Sequence, residues 1–428
     1  MVEYAAYALI LFALGAYVIL DGYDLGIGIL SLFDRNDQRR KEYNELIATA
    51  WDANESWIIL AGVGLWAAMP AVYATVLPGL YLPLIVMLLA IVLRGMSIEF
   101  QSAASDYRRG WGALFGAASL VATLCQGLVV GGVLSGMTSR NGVFHGGPLD
   151  WLTPYSVLTA LGLTLVYALA GAAWLQDKTE GIAHRRAGRQ GRPLILATVL
   201  ACVVLGFGLH LADPQQLRFD QPLRTALCAA AVAVAAACAG TAWYGFGRRP
   251  DWRPFVAVLV MEAAGLLALV AATAPVVVPP GLTLQEASSP HSSQLFVLIG
   301  IGGCMPVVLT YNIYAWWVFR GKATVPPEAA PEPVRPVPPG TRPSAPAAER
   351  TDGHPVVTVV RRAGLVVLGV GVAAVAQDVF GSKGEWIGPV GITAVSLAAL
   401  AAWLWSDRRA MAAGEFGPEP ERTEGPVT

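Results

Sequence analysis

Residues 17–33 read YVILDGYDLGIGILSLF. They continue an apolar stretch that runs from Tyr4 to Phe33, long enough to cross a bilayer, which takes about 20 apolar residues. Within it lie two carboxylates, Asp21 and Asp24. A charged group in hydrocarbon costs several kcal/mol unless it faces protein, water or a partner, so an ionisable residue in a membrane span marks a candidate functional site. Gly22, Gly26 and Gly28 surround the pair and permit close helix packing. The stretch is too long for a signal peptide and has no basic segment before it, so it reads as a retained first span.

The same pattern recurs along the chain. Of 428 residues, 55% are hydrophobic and only 14% charged, against about 25% charged in soluble domains. The composition predicts an all-α, polytopic membrane protein. Spans are expected near 4–32, 55–76, 78–100, 112–135, 152–175, 193–213, 223–245, 254–277 and 293–319, with two more near 362–380 and 386–406. The chain thus divides into a membrane core (1–322), a linker rich in proline and alanine (323–358), a transmembrane hairpin (359–407) and a tail (408–428). The linker's composition cannot bury a core. The net charge of −1 offers no general attraction to nucleic acid.

Loop charges give the orientation. Arg35, Arg39, Arg40 and Lys41 follow the first span, Arg108 and Arg109 the third, and Lys178, Arg185, Arg186, Arg189 and Arg192 the fifth. Arg248, Arg249 and Arg253 follow the seventh, and Arg320 and Lys322 the ninth. Alternate loops hold little beyond Arg140 and Arg218. The positive-inside rule therefore puts the N-terminus outside and the linker in the cytoplasm, and Arg408 and Arg409 put the C-terminus there too.

With that orientation the unusual polar residues gather toward the cytoplasm. Asp21 and Asp24 lie in the inner half of the first span, Asp52, Asn54 and Glu55 open the second, and Arg94 and Glu99 close the third. Glu262 and Asn312 lie in the inner halves of the eighth and ninth. Asp21/Asp24 and Asp52/Glu55 are spaced i,i+3, so each pair shares a helix face. Acids with an arginine can relay protons. The plainer readings are a helix-dipole role for Asp52 and Glu55 and an interfacial ion pair for Arg94 with Glu99. Cofactor ligands are scarce. The five histidines supply no facing pair for haem, with His210 the nearest to a span, and the five cysteines lie in apolar runs without a CxxC or a Cys/His pairing, so no bound cofactor and no metal are expected. Tyr311, Tyr314, Trp316, Trp317 and Phe319 read as an interfacial aromatic belt.

Leu20-Asp21-Gly22-Tyr23-Asp24-Leu25-Gly26-Ile27-Gly28 resembles the first-helix signature of subunit II of cytochrome bd-type quinol oxidases. Trp51-Asp52-Ala53-Asn54-Glu55-Ser56-Trp57 resembles that family's W-D-G-N-x-x-W motif, with Ala53 for the usual glycine. Arg94-Gly95-Met96-Ser97-Ile98-Glu99-Phe100 resembles its R-x-x-x-F/Y-E/D-F/Y stretch, followed by Gln101 where many members have arginine. Ser292-Ser293-Gln294-Leu295 is similar to the start of its last core helix. The resemblance covers about residues 1–323, and the linker and hairpin have no counterpart in it.

The resemblance implies a bacterial cytoplasmic-membrane subunit of about nine core helices, arranged as two four-helix bundles plus a peripheral helix. It implies pairing with a subunit I that carries haems b and d and the quinol-oxidising loop, in a complex that oxidises quinol and reduces dioxygen to water. A small accessory subunit and, in some members, a structural quinone belong to the same picture. By the motif match Asp21 and Asp52 line a proton path, supported by Asp24, Asn54, Glu55, Arg94 and Glu99, and Trp57 lies near an oxygen entrance. The competing readings are a proton-coupled secondary transporter, against which no clear internal repeat is found, and a structural scaffold.

Overall fold

The computed structural model describes residues 2–34, 36–103, 108–140, 143–212, 221–248 and 252–318. The linker, the hairpin, the tail and Phe319 lie outside the described residues, as do the side chains of Trp316 and Trp317. In chain order the helices are α1 (Val2–Leu32), α2 (Asp37–Ile47), α3 (Trp51–Ala68), α4 (Pro70–Gly79), α5 (Tyr81–Ala103) and α6 (Arg108–Leu134). A hairpin of β1 (Ser139–Arg140) and β2 (Val143–Phe144) leads to α7 (Pro154–Lys178), α8 (Gly181–Ala212), α9 (Pro222–Gly245) and α10 (Arg253–Thr273). A second hairpin, β3 (Val276–Val278) and β4 (Leu282–Thr283), precedes the short α11 (Leu284–Ala287) and α12 (His291–Val318). Among the described residues eight helices are long and apolar enough to span a membrane: α1, α5, α6, α7, α8, α9, α10 and α12. The protein is an all-α, multi-pass membrane protein.

The second expected span, 55–76, is not one helix. The helix α3 ends at Ala68, Met69 takes φ −134° and ψ 63°, and α4 restarts at Pro70. Proline has no N–H to continue the ladder and biases the preceding residue away from helical backbone. The apolar run continues across the break, so hydropathy alone does not reveal it. The basic loop after α1 also folds into a helix, α2, capped by the Asn36 side chain, which accepts from Arg39 N at 3.0 Å.

The C-terminal part of α1 is buried on every side: each residue from Asp21 to Ser31 is enclosed. This helix packs against α3, α6 and α7, and touches α10 and α12. Contact with α7 is at backbone level, since a Cβ on Gly26 would fall 1.7 Å from the Tyr167 carbonyl oxygen, and one on Gly171 would fall 2.5 Å from Gly26 C. Residues Tyr167 to Gln176 of α7 are in turn continuously buried. Small residues at a crossing let two helices approach without a hydrophobic drive from water. Further along α7, Tyr23 of α1 stacks on Trp174 with centroids 4.8 Å apart, and Phe255 of α10 packs on both rings, at 5.5 and 4.8 Å. These contacts fix the depth of α1 relative to α7 and α10.

Candidate functional site

Three helices bring the predicted polar residues together. The α1 helix supplies Asp21 and Asp24, both fully buried, α3 supplies Asn54 and Glu55, and α5 supplies Arg94, also fully buried. Arg94 Nη2 lies 2.7 Å from Asp21 Oδ1 and forms a second ion pair with Glu55 Oε1. Both acids therefore meet the same guanidinium nitrogen, while Arg94 Nε and Nη1 make no hydrogen bond among the described residues. Asn54 Nδ2 donates to Asp24 Oδ2 at 2.8 Å and lies 3.1 Å from the Tyr23 hydroxyl and 3.2 Å from the Leu20 carbonyl. Asp24 Oδ1 has no partner among the described residues. Two carboxyls thus share one cation inside the protein, and a third, Asp24, is buried one turn along α1 on the Asn54 amide.

Local sequence explains the placement. Asp21 and Asp24 are one turn apart on one face of α1, and Asn54 and Glu55 lie near the start of α3. The α3 N-terminus has no side-chain cap, so the N–H groups there favour nearby negative charge. Gly95 makes room for Trp51, whose ring would lie 2.9 Å from a Cβ at that position, and this seats the start of α3 on α5 next to Arg94.

One expectation changes. Arg94 pairs with Asp21 and Glu55 rather than with Glu99: five residues on, Glu99 lies about 140° around the helix and is exposed, while Arg94 is fully buried. Asp52 is exposed and stands outside the buried cluster, one turn before Glu55, whose side chain is 17% exposed. Trp57 is 1% exposed, with its Nε1 unpartnered, in a cluster with Ala13, Tyr17, Ala61 and Met305, and Phe12 meets it edge-on at 5.8 Å.

Sequence reasoning did not find the polar residues that extend this site. Gln126 of α6 donates from Nε2 to the Tyr17 hydroxyl at 2.6 Å and accepts from the Tyr167 hydroxyl at 2.9 Å. Tyr17 is one turn before Asp21 on α1. The available signal was a lone glutamine in an apolar helix. Beyond the C-terminal end of α1, Asp34 is buried under a clamp: Arg39 Nη2 at 2.7 Å and Nε at 2.9 Å, the Tyr43 hydroxyl at 3.1 Å, Asn36 N at 3.0 Å and Arg186 Nη1 at 3.5 Å. Burial alone raises the Asp34 carboxyl, but the Arg39 and Asn36 hydrogen bonds and the Arg186 charge outweigh it and hold the group below the usual range.

Among the described residues no cluster of three His, Cys, Asp or Glu side chains is placed to hold a metal ion. Both ring nitrogens of His184 are engaged with backbone carbonyls, Gln176 O and Arg248 O, each at 2.8 Å, and His210 is exposed on α8.

Comparison with known proteins agrees with this architecture. One chain of the bd oxidase structure from Geobacillus thermodenitrificans superposes with a TM-score of 0.64 at 15% identity, covering 74% of this chain and 98% of that one, a likeness of fold. Cytochrome bd-I ubiquinol oxidase subunit 2 of Escherichia coli (strain K12) is 30% identical over 200 residues, 44% of this chain and 52% of that protein. Cytochrome bd ubiquinol oxidase subunit 2 of Bacillus subtilis (strain 168) is 28% identical over 198 residues, 44% of this chain and 58% of that protein. The chain spans about half the length of these curated relatives. The family model described as cytochrome bd terminal oxidase subunit II matches residues 2–319, which takes in the whole of the buried acid–arginine cluster and every helix that builds it. On that match the chain belongs to the cytochrome bd terminal oxidase subunit II family.

Proposed function

We propose that this chain is the supporting subunit of a bd-type quinol oxidase in the bacterial cytoplasmic membrane, N-terminus outside, and that its acid–arginine cluster passes protons from the cytoplasm toward the partner subunit. The partner, subunit I, carries the haems and the quinol-oxidising site, and the complex oxidises quinol and reduces dioxygen to water. A small accessory subunit and a structural quinone remain part of the reading. The observation that carries the proton-path reading is the pair of carboxyls, Asp21 and Glu55, held on one guanidinium nitrogen, with a third, Asp24, fully buried one turn away on α1.

Three ionised carboxylates with one arginine would leave uncompensated charge in a low-dielectric interior, and such groups neutralise rather than stay charged. The cluster therefore holds at least one proton. Asp21 and Glu55 are matched by Arg94, whereas Asp24 has only the Asn54 amide and one unpartnered oxygen. Asp24 is thus the carboxyl best suited to carry the proton. Exposed Asp52 collects it at the cytoplasmic end of α3, Glu55 receives it one turn deeper, and Asp21 and Asp24 take it inward. Glu99 stands at the same end of α5 and can contribute to collection. A path of this kind answers a chemical need, because dioxygen reduction consumes protons at a centre that lipid shields from water. Trp57, buried beside α1, borders the proposed oxygen route.

The test uses the assembled complex. Asp21→Asn and Asp24→Asn keep the side-chain shape and remove the titrating group. Each should slow oxygen consumption at least tenfold, about 1.4 kcal/mol of barrier, with haem content unchanged. Asp52→Asn should slow it less, because surface water bypasses an exposed group. Wild-type turnover and proton uptake in all three variants would place the path elsewhere.

A further inference from the structure

Side chains from α7 and α8 hold the turn that follows α9, and one of them is a histidine with an acceptor at each ring nitrogen. The α7 helix ends at Lys178 and α8 begins at Gly181, while α9 ends at Gly245 and turns through Gly247, with φ +81°, into Arg248. Gln176 Nε2 donates to Gly245 O at 3.0 Å, and its Oε1 accepts from Gly247 N at 3.1 Å. Arg192 donates to Phe246 O from Nη2 at 3.0 Å and to Trp243 O from Nε at 3.3 Å. His184, one turn into α8, has Nδ1 2.8 Å from Gln176 O and Nε2 2.8 Å from Arg248 O. Along the rest of their length α8 and α9 touch little.

Hydrogen-bond polarity constrains the ring. Carbonyl oxygens only accept, and a neutral imidazole has a single N–H. Neutral His184 sets a nitrogen lone pair against a carbonyl oxygen at one of the two contacts, whereas the imidazolium donates to both. Gln176 O belongs to the last turn of α7 and Arg248 O follows the end of α9, so the ring stands between two helix C-termini, where unpaired carbonyls favour a cation. The start of α8 acts the other way. The charged residues on the segments that meet here are Asp177 and Lys178, paired at 3.3 Å, Glu180, Arg185, Arg186, Arg189, Arg248 and Arg253. Of these, Arg186 is engaged with Asp34 and the Phe33 carbonyl, and Lys178 lies over the Trp174 ring. Arg249 and Asp251 of the same loop lie outside the described residues. The two contacts of the ring are unequal: the one to Gln176 O is partly buried and the one to Arg248 O is exposed. Water replaces a donor readily at an exposed carbonyl, and a buried one left unmet costs more.

We propose that His184 is a proton-operated latch between the α7–α8 turn and the α9–α10 loop. With both nitrogens protonated it bridges Gln176 O and Arg248 O. On losing one proton it keeps Gln176 O through Nδ1–H and releases Arg248 O to water. The released loop leads into α10, whose Phe255 packs on Tyr23 of α1 and Trp174 of α7. In the orientation proposed above, the latch faces the compartment that feeds the proton path. Its link to that path rests on the proposed function; the latch itself does not.

Hydrogen–deuterium exchange of the assembled complex, read at the Gly247 and Arg248 amides and expressed relative to free-peptide rates at each pH, tests the latch. The comparison is with His184→Gln, which is neutral at every pH. Near pH 5 the wild type should be better protected by about fivefold, the contribution of one cation at a helix end. The difference should vanish by about pH 8, across the interval in which histidine changes charge. Equal protection in the two proteins at every pH would overturn the latch, and so would a wild-type excess that stays constant with pH, which marks a fixed contact. If His184→Gln does not assemble, the wild type alone decides: protection at these amides that falls with rising pH supports the latch, and constant protection refutes it. Turnover plays no part in these measurements, so the proton path can fail while the latch stands.

Discussion

Arg94 is the residue on which the buried cluster depends, and Arg94→Gln measures how much. The substitution keeps a polar side chain of similar length and removes the only cation paired with Asp21 and Glu55 among the described residues. Breaking a buried ion pair by removing one partner costs about 3–5 kcal/mol, because the other charge stays buried without compensation. Here one cation serves two acids, with Asp21 fully buried and Glu55 nearly so, which puts the expectation near the upper end of that range, partly relieved as the acids take up protons. A loss of about 4 kcal/mol corresponds to nearly three orders of magnitude in an equilibrium constant. Large membrane complexes seldom unfold reversibly, so the assay is the half-life of the purified complex at a fixed temperature, with haem retention as the readout. Arg94→Lys should be milder, because both acids meet the single Nη2 atom while Nε and Nη1 are unpartnered, so one ammonium can serve both contacts. The double variant Arg94→Gln/Asp21→Asn should recover part of the loss, since neutralising the acid removes the orphaned charge. A half-life within tenfold of wild type for Arg94→Gln, or strictly additive effects in the double variant, would refute the reasoning.

Three further outcomes follow from the geometry. Asp34 is held below the usual carboxylate range, so its clamp contributes stability that is fully present above the unfolded value of about 3.9 and is lost as pH falls through the lower folded value; Asp34→Asn should remove this acid-sensitive component from half-life measurements below about pH 4. Gly26→Ala should destabilise by about 1–3 kcal/mol or more, because the new Cβ meets the Tyr167 carbonyl, while Gly62→Ala, where a Cβ meets nothing within 4 Å, should be neutral or stabilising in the same assay. Trp57→Phe should alter apparent oxygen affinity at unchanged haem content if the oxygen route passes this residue; Trp57→Ala is the poorer test, since emptying a 1% exposed site costs about 3–5 kcal/mol by itself.

Much of this was legible in the sequence because the signals are strong. A carboxylate in an apolar run is conspicuous, and Asp21, Glu55 and Arg94 meet at one place, with Asp24 one turn away on the Asn54 amide. Partner choice was less legible. Glu99 is nearer to Arg94 in sequence than Glu55, yet only the turn of the helix decides which faces the guanidinium, and it turns Glu99 away. The Tyr17–Gln126–Tyr167 bridge draws on three helices whose relative depth is set by tertiary contacts such as Tyr23 on Trp174, and no spacing within one segment encodes that. The break at Met69 was readable from Pro70, but the continuous apolar run hid it. Likewise Asn36 ahead of a mixed polar segment is a helix start, one that an orientation argument based on loop charge passes over.

The arrangement around Arg94 suits transfer better than simple pairing would. Burial rises in steps, from exposed Asp52 to Glu55, which is 17% exposed, to fully buried Asp21 and Asp24. A proton entering along that gradient moves into ever lower dielectric and would be opposed if it arrived as added positive charge. Two acids on one guanidinium nitrogen remove that obstacle. Protonating Glu55 weakens its hold on Nη2 and leaves the cation to Asp21; passing the proton to Asp21 reverses the preference, while the charge balance of the triad is unchanged. On the proposed reading, Arg94 therefore keeps the acids compatible with the membrane interior and lets either of them carry the proton. The Asp24 oxygen that has no partner among the described residues, one turn nearer the end of α1 on the same helix face, is a further acceptor beside them.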